Sequence, residues 1–320
     1  MLINENRSTQ KRFIYSIVLT SLILVAEVIG GLVSGSLALL SDAAHVFMDI
    51  FALVLSFVAL KLAMRPPDDQ HSFGWYRLEV VAALINGASL FIISIGIWIE
   101  AVKRFQAPVE VKSTEMLIIA VIGLVVNLVV AFILGGHDHG HAGHNHTHSH
   151  EEEQDHEHKK VKTKRNLNVQ SAFLHVLGDA ISSVGVIIAA VIIHFTKVEW
   201  IDPLISIMIG VIIFVSAFRV LKSALHILIE GVPEGLSIKR IKECMSTVNA
   251  VKTVHDLHVW NLGSDQVSLS AHVILVDSFE NQQSIVMDQL KLLLDEEFHI
   301  QHTTIQFEQK PCASGHGGCN

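Results

Sequence analysis

The sequence predicts an α-helical membrane protein, with six transmembrane helices followed by a cytosolic α+β domain of the ferredoxin-like kind. Three observations predict it. Half of the 320 residues are hydrophobic and only 17% are charged, against about a quarter charged in soluble domains. The apolar residues concentrate in long runs between 13 and 225, whereas 136–165 and 231–320 are polar. The polar C-terminal stretch carries short periodic patterns of its own. A span of about 20 residues crosses about 30 Å of hydrocarbon, so a set of such spans leaves chain over for a small aqueous domain. This excludes a purely soluble enzyme. The net charge of −8, from 23 basic and 31 acidic residues, and the lack of an Arg-rich stretch argue against a nucleic-acid partner. Cys244, Cys312 and Cys319 make no disulfide framework.

The spans are expected near 13–33, 38–62, 79–102, 115–135, 168–194 and 200–222, as helices, because a backbone in lipid must satisfy its own hydrogen bonds. The first is expected to stay in the mature chain: it holds Glu27 and runs through Gly30, Gly31 and Gly35 into a further span, unlike a cleaved signal. Basic residues near span ends mark the cytosolic side. Arg7, Lys11 and Arg12 precede the first span, Lys61, Arg65 and Arg77 flank the second loop, and Lys159, Lys160, Lys162, Lys164 and Arg165 precede the fifth span. Both termini are therefore expected in the cytosol. The opposite loops carry Lys103, Arg104, Lys112 and Lys197, the first three beside Glu100, Glu110 and Glu115.

Between the fourth and fifth spans lies a low-complexity tract, 137–158, holding nine of the twenty histidines among Gly, Glu and Asp. Such a composition cannot build a core, and its imidazoles suit a metal-collecting arm. After Gly231, Ile238, Ile241, Met245 and Val248 recur at helical spacing. Strands are expected over 253–260 and 267–276, the second alternating Val267, Leu269, Ala271, Val273 and Leu275. A longer helix is expected over 280–297 with Ile285, Val286, Leu290, Leu293 and Leu294, then a strand from Thr303 to Glu308. That order suits an open-faced sandwich.

Ionisable residues inside spans are costly and mark function by default. His45 with Asp49 in the second span, and His175 with Asp179 in the fifth, are the two His-x-x-x-Asp spacings of the chain. Four residues of helix turn through about 400° and rise about 6 Å, so each pair projects from one face. Two such faces opposed supply two imidazoles and two carboxylates, a set suited to tetrahedral zinc whose charge balances a divalent cation. One His-Asp pair alone would read as a buried hydrogen bond between helices; its repetition favours a metal site. Four protein ligands close the site to water, which points to binding and not hydrolysis. An intramembrane metalloprotease would need a His-Glu-x-x-His helix, and none is present. A zinc that only locks the bundle stays open as a rival, because Ala43, Ala44, Gly178, Ala180, Ser182, Ser183 and Gly185 suit static packing as well as sliding. Glu27, Asp42 and Asn127 also lie in or near spans and are read as packing or pathway hydration.

Four stretches together resemble the cation diffusion facilitators: Ser36-Leu-Ala-Leu-Leu-Ser-Asp42-Ala-Ala-His45 with Asp49; His71-Ser-Phe-Gly74-Trp-Tyr-Arg77-Leu-Glu79 with Asn86-Gly87; His175 with Asp179; and His255-Asp-Leu-His258-Val-Trp260. The resemblance spans nearly the whole chain, and the His-rich arm is similar to the zinc-exporting branch. It implies a homodimer in the lipid bilayer, exporting zinc against protons, with zinc both as cargo and as a regulatory ion. It implies that His45, Asp49, His175 and Asp179 form the transport site, and that histidine at 45 favours zinc over cadmium. It implies a loop metal at Asp68 and His71, although Trp75 stands where some members have a second histidine. It implies cytosolic ligands at His255, His272, His302 and Glu308, with Gln306 at a position that is a ligand in some bacterial members. The expected organisation is a transport domain over 1–225 with the arm at 136–165, a metal-binding dimerisation domain over 226–310, and a tail over 311–320 with Cys312, His316 and Cys319. The chain is expected to be no enzyme, and to sit in a bacterial plasma membrane. No nucleotide is implied, since no Gly-x-x-x-x-Gly-Lys-Ser/Thr loop occurs. A static metal-binding or sensing membrane protein is the alternative.

Overall fold

A computed structural model of the chain describes residues 2–135, 167–263 and 266–310, without the side chains of 2–16, 131, 133–135, 167–177 and 280. The His-rich arm and the tail with Cys312, His316 and Cys319 lie outside the described residues. Six long helices come first: α1 (Leu2–Ser34), α2 (Leu37–Ala63), α3 (Arg77–Gln106), α4 (Ser113–Gly135), α5 (Leu167–Thr196) and α6 (Ile201–Leu228). Then follow α7 (Ile238–Met245), β1 (Val251–Asn261), β2 (Val267–Leu275), a 3-10 turn (Asp277–Gln282), α8 (Gln283–Phe298) and β3 (His302–Glu308). Each of the six long helices holds a segment long and apolar enough to cross a membrane. Their outer surfaces carry large apolar side chains such as Leu32, Phe132 and Phe195, exposed by 69%, 74% and 80%, a surface that lipid solvates and water does not. Several helices outrun the expected spans, because hydropathy marks the apolar stretch while helical hydrogen bonding continues into polar sequence such as Lys103 and Arg104.

The described residues form two compact units, those within 1–50 and 93–213, and those within 51–92 and 214–310. In the first, α4 packs against both α1 and α5. Close approach of α1 and α4 needs small residues: a Cβ on Gly30 would fall 2.7 Å from Ile119 Cγ1. The α1–α2 turn passes through Gly35 at φ +72°, a conformation glycine adopts without strain. Ser36 then caps α2, its hydroxyl accepting the Leu39 N–H at 3.1 Å. Asp202 of α6, fully buried, accepts the Leu37 and Ala38 N–H groups at 2.7 and 3.1 Å. The donors left over at the start of α2 are thus paired.

In the second unit the sheet runs β1-β2-β3, with β1 antiparallel and β3 parallel to β2. The β2–β3 connection is the crossover that parallel strands require, and α8 supplies it. One sheet face buries Val254, Val259, Leu269, Ala271 and Val273 against Ile241 and Met245 of α7 and Val286, Leu290 and Leu294 of α8. The long helix expected from 280 splits, a 3-10 turn preceding α8, and Ile285 of the expected stripe is 57% exposed. Alternation along β2 puts His272 on the open face of the sheet. His255 is its partner across the antiparallel pair, and Gln306 across the parallel one.

Candidate metal sites

Within the membrane-spanning part, α2 projects His45 and Asp49 from one face, and α5 brings Asp179 to them. His45 Nε2 lies 3.8 Å from Asp49 Oδ2 and 3.6 Å from Asp179 Oδ1. One ligand atom from each of the three falls within 4.8 Å of the others. Zinc with N and O bonds of about 2.0–2.2 Å sets neighbouring tetrahedral ligands roughly 3.3 Å apart, so the set fits a small cation once its ligands draw together. The three side chains are 12–21% exposed. The side chain of His175 lies outside the described residues; its backbone is one turn before Asp179 in α5, the spacing that puts both on one face.

Beside this set, Asp42 joins two helices. It accepts from Ser182 Oγ at 2.6 Å and from Ser183 Oγ at 3.3 Å. Asn127 of α4 donates in turn to Ser183 Oγ at 3.4 Å. These bonds lock α2 against α5 close to His45 and Asp179, so the polar residues read as packing have a positioning geometry. Glu27 of α1 is 1% exposed and lies against Gly123 of α4, where a Cβ would meet its Oε1 at 2.7 Å.

On the open sheet face, His255 Nε2 and His272 Nδ1 each lie 3.1 Å from Glu308, at Oε2 and Oε1. Both separations approach the edge of a zinc tetrahedron. The two rings stand 5.5 Å apart and nearly perpendicular. His255 Nδ1 is buried with no hydrogen-bond partner among the described residues. Gln306 donates to Glu308 Oε1 at 2.8 Å, so it steadies a ligand candidate. The fourth expected residue, His302, is not brought to this set. It shares its strand face with Glu308, but six residues at about 3.3 Å each separate them, and its ring instead meets Phe73 edge-on at 5.7 Å.

The loop pair does come together: His71 Nδ1 lies 2.9 Å from Asp68 Oδ1. That oxygen also accepts the Gln70 and His71 N–H groups, at 2.9 and 2.7 Å, and the His71 contact above all holds the Asp68 carboxyl below the ordinary aspartate range. Trp75 stacks on the His71 ring at 3.7 Å. The geometry is that of an aspartate-closed turn, and no third ligand joins it among the described residues.

Residues 13–229 match the cation efflux transmembrane domain, and 233–310 match the cation efflux protein cytoplasmic domain. The chain belongs to the cation efflux family. Among curated relatives of this family, the metal cation efflux system protein CzcD of Cupriavidus metallidurans is 37% identical, covering 93% of this chain and 86% of its own. The zinc transporter ZitB of Escherichia coli is 37% identical over 94% of this chain and 88% of its own. The cadmium, cobalt and zinc/H(+)-K(+) antiporter of Bacillus subtilis is 37% identical over 95% and 91%. These relatives are transporters and not enzymes by name, and this cation efflux protein is a multi-pass membrane protein.

Two features of this cation efflux protein escaped the sequence. Asp202, inside an apolar span, carried the signal of an intramembrane carboxylate, yet its partners Ser36 and Arg104 lie far off in the chain. Arg104, read as a loop charge, stands 3.5 Å from Asp202 and donates to the Gly35 carbonyl. Asp256, inside the His255-Asp-Leu-His258 stretch, lies 3.8 Å from His272 and 3.0 Å from His258.

Proposed function

We propose that this protein exports zinc, and other divalent transition metals with it, from the cytosol in exchange for protons. The convergence of His45, Asp49 and Asp179 from two spanning helices carries the reading, with His175 as fourth ligand. Two carboxylates balance the charge of a divalent cation, so the loaded site crosses low dielectric without net charge. Imidazole and carboxylate ligands bind metal only when deprotonated, so loading releases protons and protonation on the far side favours unloading. Two packed arrangements of α2 and α5, each exposing the same ligands to one aqueous phase, complete an alternating-access cycle. The names of the zinc-transporting and proton-exchanging relatives support this cargo and this counter-ion.

The remaining assignments follow from it. The basic residues flanking the spans put both termini in the cytosol, and the bacterial relatives fit a plasma-membrane location. Residues 1–225 form the transport domain, 136–165 the metal-collecting arm, 226–310 a dimerisation domain and 311–320 a Cys/His tail. His255, His272 and Glu308 hold a regulatory zinc, and the protein works as a homodimer through its cytoplasmic domain.

Paired zinc- and pH-dye recording in proteoliposomes at controlled membrane potential tests the transport reading. An outside-acid gradient is expected to drive zinc outward. Asp49→Asn and Asp179→Asn, checked for folding and insertion, are expected to abolish both zinc flux and zinc-evoked proton movement. Zinc flux indifferent to the pH gradient, with no proton counterflow, defeats the antiport; binding without any flux leaves a metal sensor.

A further inference from the structure

We propose that Asp256 is a positioning residue for the cytosolic metal site, its carboxylate holding the His272 imidazole with Nδ1 turned toward the metal. This rests on reading His255, His272 and Glu308 as ligands. His272 lies between two carboxylates: Nδ1 is 3.1 Å from Glu308 Oε1, and Nε2 is 3.8 Å from Asp256 Oδ2. His255 Nε2 also meets Glu308, so the ligand atoms converge on Glu308 and the Nε2 edge of His272 faces the other way. A neutral imidazole that binds metal through Nδ1 carries its proton on Nε2, and the carboxylate on that side is Asp256, at an ion-pair distance of 3.8 Å. Metal-bound histidines regularly give their second N–H to a carboxylate or carbonyl, which fixes the tautomer and makes the ligand more basic.

The backbone is arranged for this contact. His255 occupies the open sheet face, so in a regular strand the next residue would point to the buried face. The β1–β2 register instead breaks between His255 and His258, and Asp256 takes φ +49°. Such a bulge re-aims a side chain, and aspartate is among the few residues that enter the left-handed region with ease. Its second oxygen, Oδ1, is held by His258 Nε2 at 3.0 Å. His258 is 62% exposed and Asp256 18%, so the chain of contacts runs from the surface through Asp256 and His272 to Glu308.

The positive-φ backbone separates this role from a merely structural one. Glycine adopts positive φ freely, so Asp256→Gly keeps the bulge and removes the carboxylate. Zinc titration of the full-length protein against a competing chelator measures the effect. The cytosolic increment is the zinc bound by wild type beyond that bound by the His255→Ala/His272→Ala variant. Asp256→Gly is expected to weaken that increment by about 10- to 100-fold while the zinc-free melting temperature stays at or above the wild-type value. Wild-type zinc affinity in a folded Asp256→Gly protein overturns the proposal and leaves the ligands standing. An increment of zero in wild type overturns the ligand reading beneath it. Nitrogen-15 NMR of histidine-labelled wild type gives an independent reading: zinc on His272 Nδ1 with Nε2 protonated is expected, and zinc on Nε2 overturns the proposal even if Asp256→Gly fails to fold.

Discussion

Ser36 and Asp202, 166 residues apart in sequence, share a buried hydrogen bond of 2.6 Å from the serine hydroxyl to the carboxylate. Asp202 thereby completes the N-terminal cap of α2, the helix that carries His45 and Asp49, from α6.

Removing that carboxylate strands several groups together. Asp202→Ala leaves the Ser36 hydroxyl and two N–H donors of α2 without their acceptor and removes one of the two carboxylates beside Arg104, a loss of about 3–5 kcal/mol by analogy with broken buried pairs. The thermal midpoint of the purified protein is expected to fall by several degrees, and Asp202→Asn, which keeps one acceptor oxygen, to fall less. A midpoint equal to wild type in Asp202→Ala contradicts the pairing.

Gly123 makes room for a buried acid. Its replacement by alanine sets a methyl 2.7 Å from Glu27 Oε1, so the buried carboxylate must turn aside, which offsets the gain of about 1 kcal/mol that alanine brings to a helix. Gly123→Ala is expected to melt below Gly96→Ala, and the shorter acid in Gly123→Ala/Glu27→Asp to recover part of the difference. Gly96→Ala is the control, since nothing lies within 4 Å of the added carbon. Equal melting of the Gly123 and Gly96 variants would show that Glu27 does not occupy this space.

The His-rich arm is expected to be dispensable for turnover. Deleting 137–158 removes nine histidines but none of the proposed transport ligands. Flux at scarce zinc is expected to drop and maximal flux to stay mostly intact. Complete loss of flux in a correctly inserted deletion protein refutes this division of labour.

The Asp68 turn predicts a pH dependence of defined sign. The side-chain contact with His71 foremost, then the backbone N–H bonds, hold the carboxyl below its ordinary value. A group depressed in the folded state contributes stability above the unfolded-state pKa, and that contribution is lost as pH falls through the folded one. Carbon-13 NMR of Asp68 is expected to give a midpoint below that of free aspartate, moving up in His71→Ala. An ordinary midpoint in wild type means that the turn does not hold in solution.

The sequence by itself determined what depends on neighbours in the chain. Six apolar runs marked six spanning helices, because a backbone in lipid can only pair with itself. The alternation from Val267 to Leu275 marked β2 and its buried face, because strand side chains alternate with period two. The four-residue spacing of His45 and Asp49 put both on one helix face before any fold was known. Tertiary structure decided everything that joins distant segments. Which helix faces His45, that Asp42 is held by Ser182 and Ser183, and that Asp202 caps α2 depend on how helices pack, and helical periodicity is silent on partners. The cytosolic set shows the same limit from both sides. His302 and Glu308 share a strand face and looked equivalent, yet the rise of an extended chain carries His302 out of reach. Asp256 follows His255 and would face the buried side of a regular strand, yet a bulge at positive φ sets it 3.8 Å from His272, because local backbone geometry overrides the strand period where the register breaks.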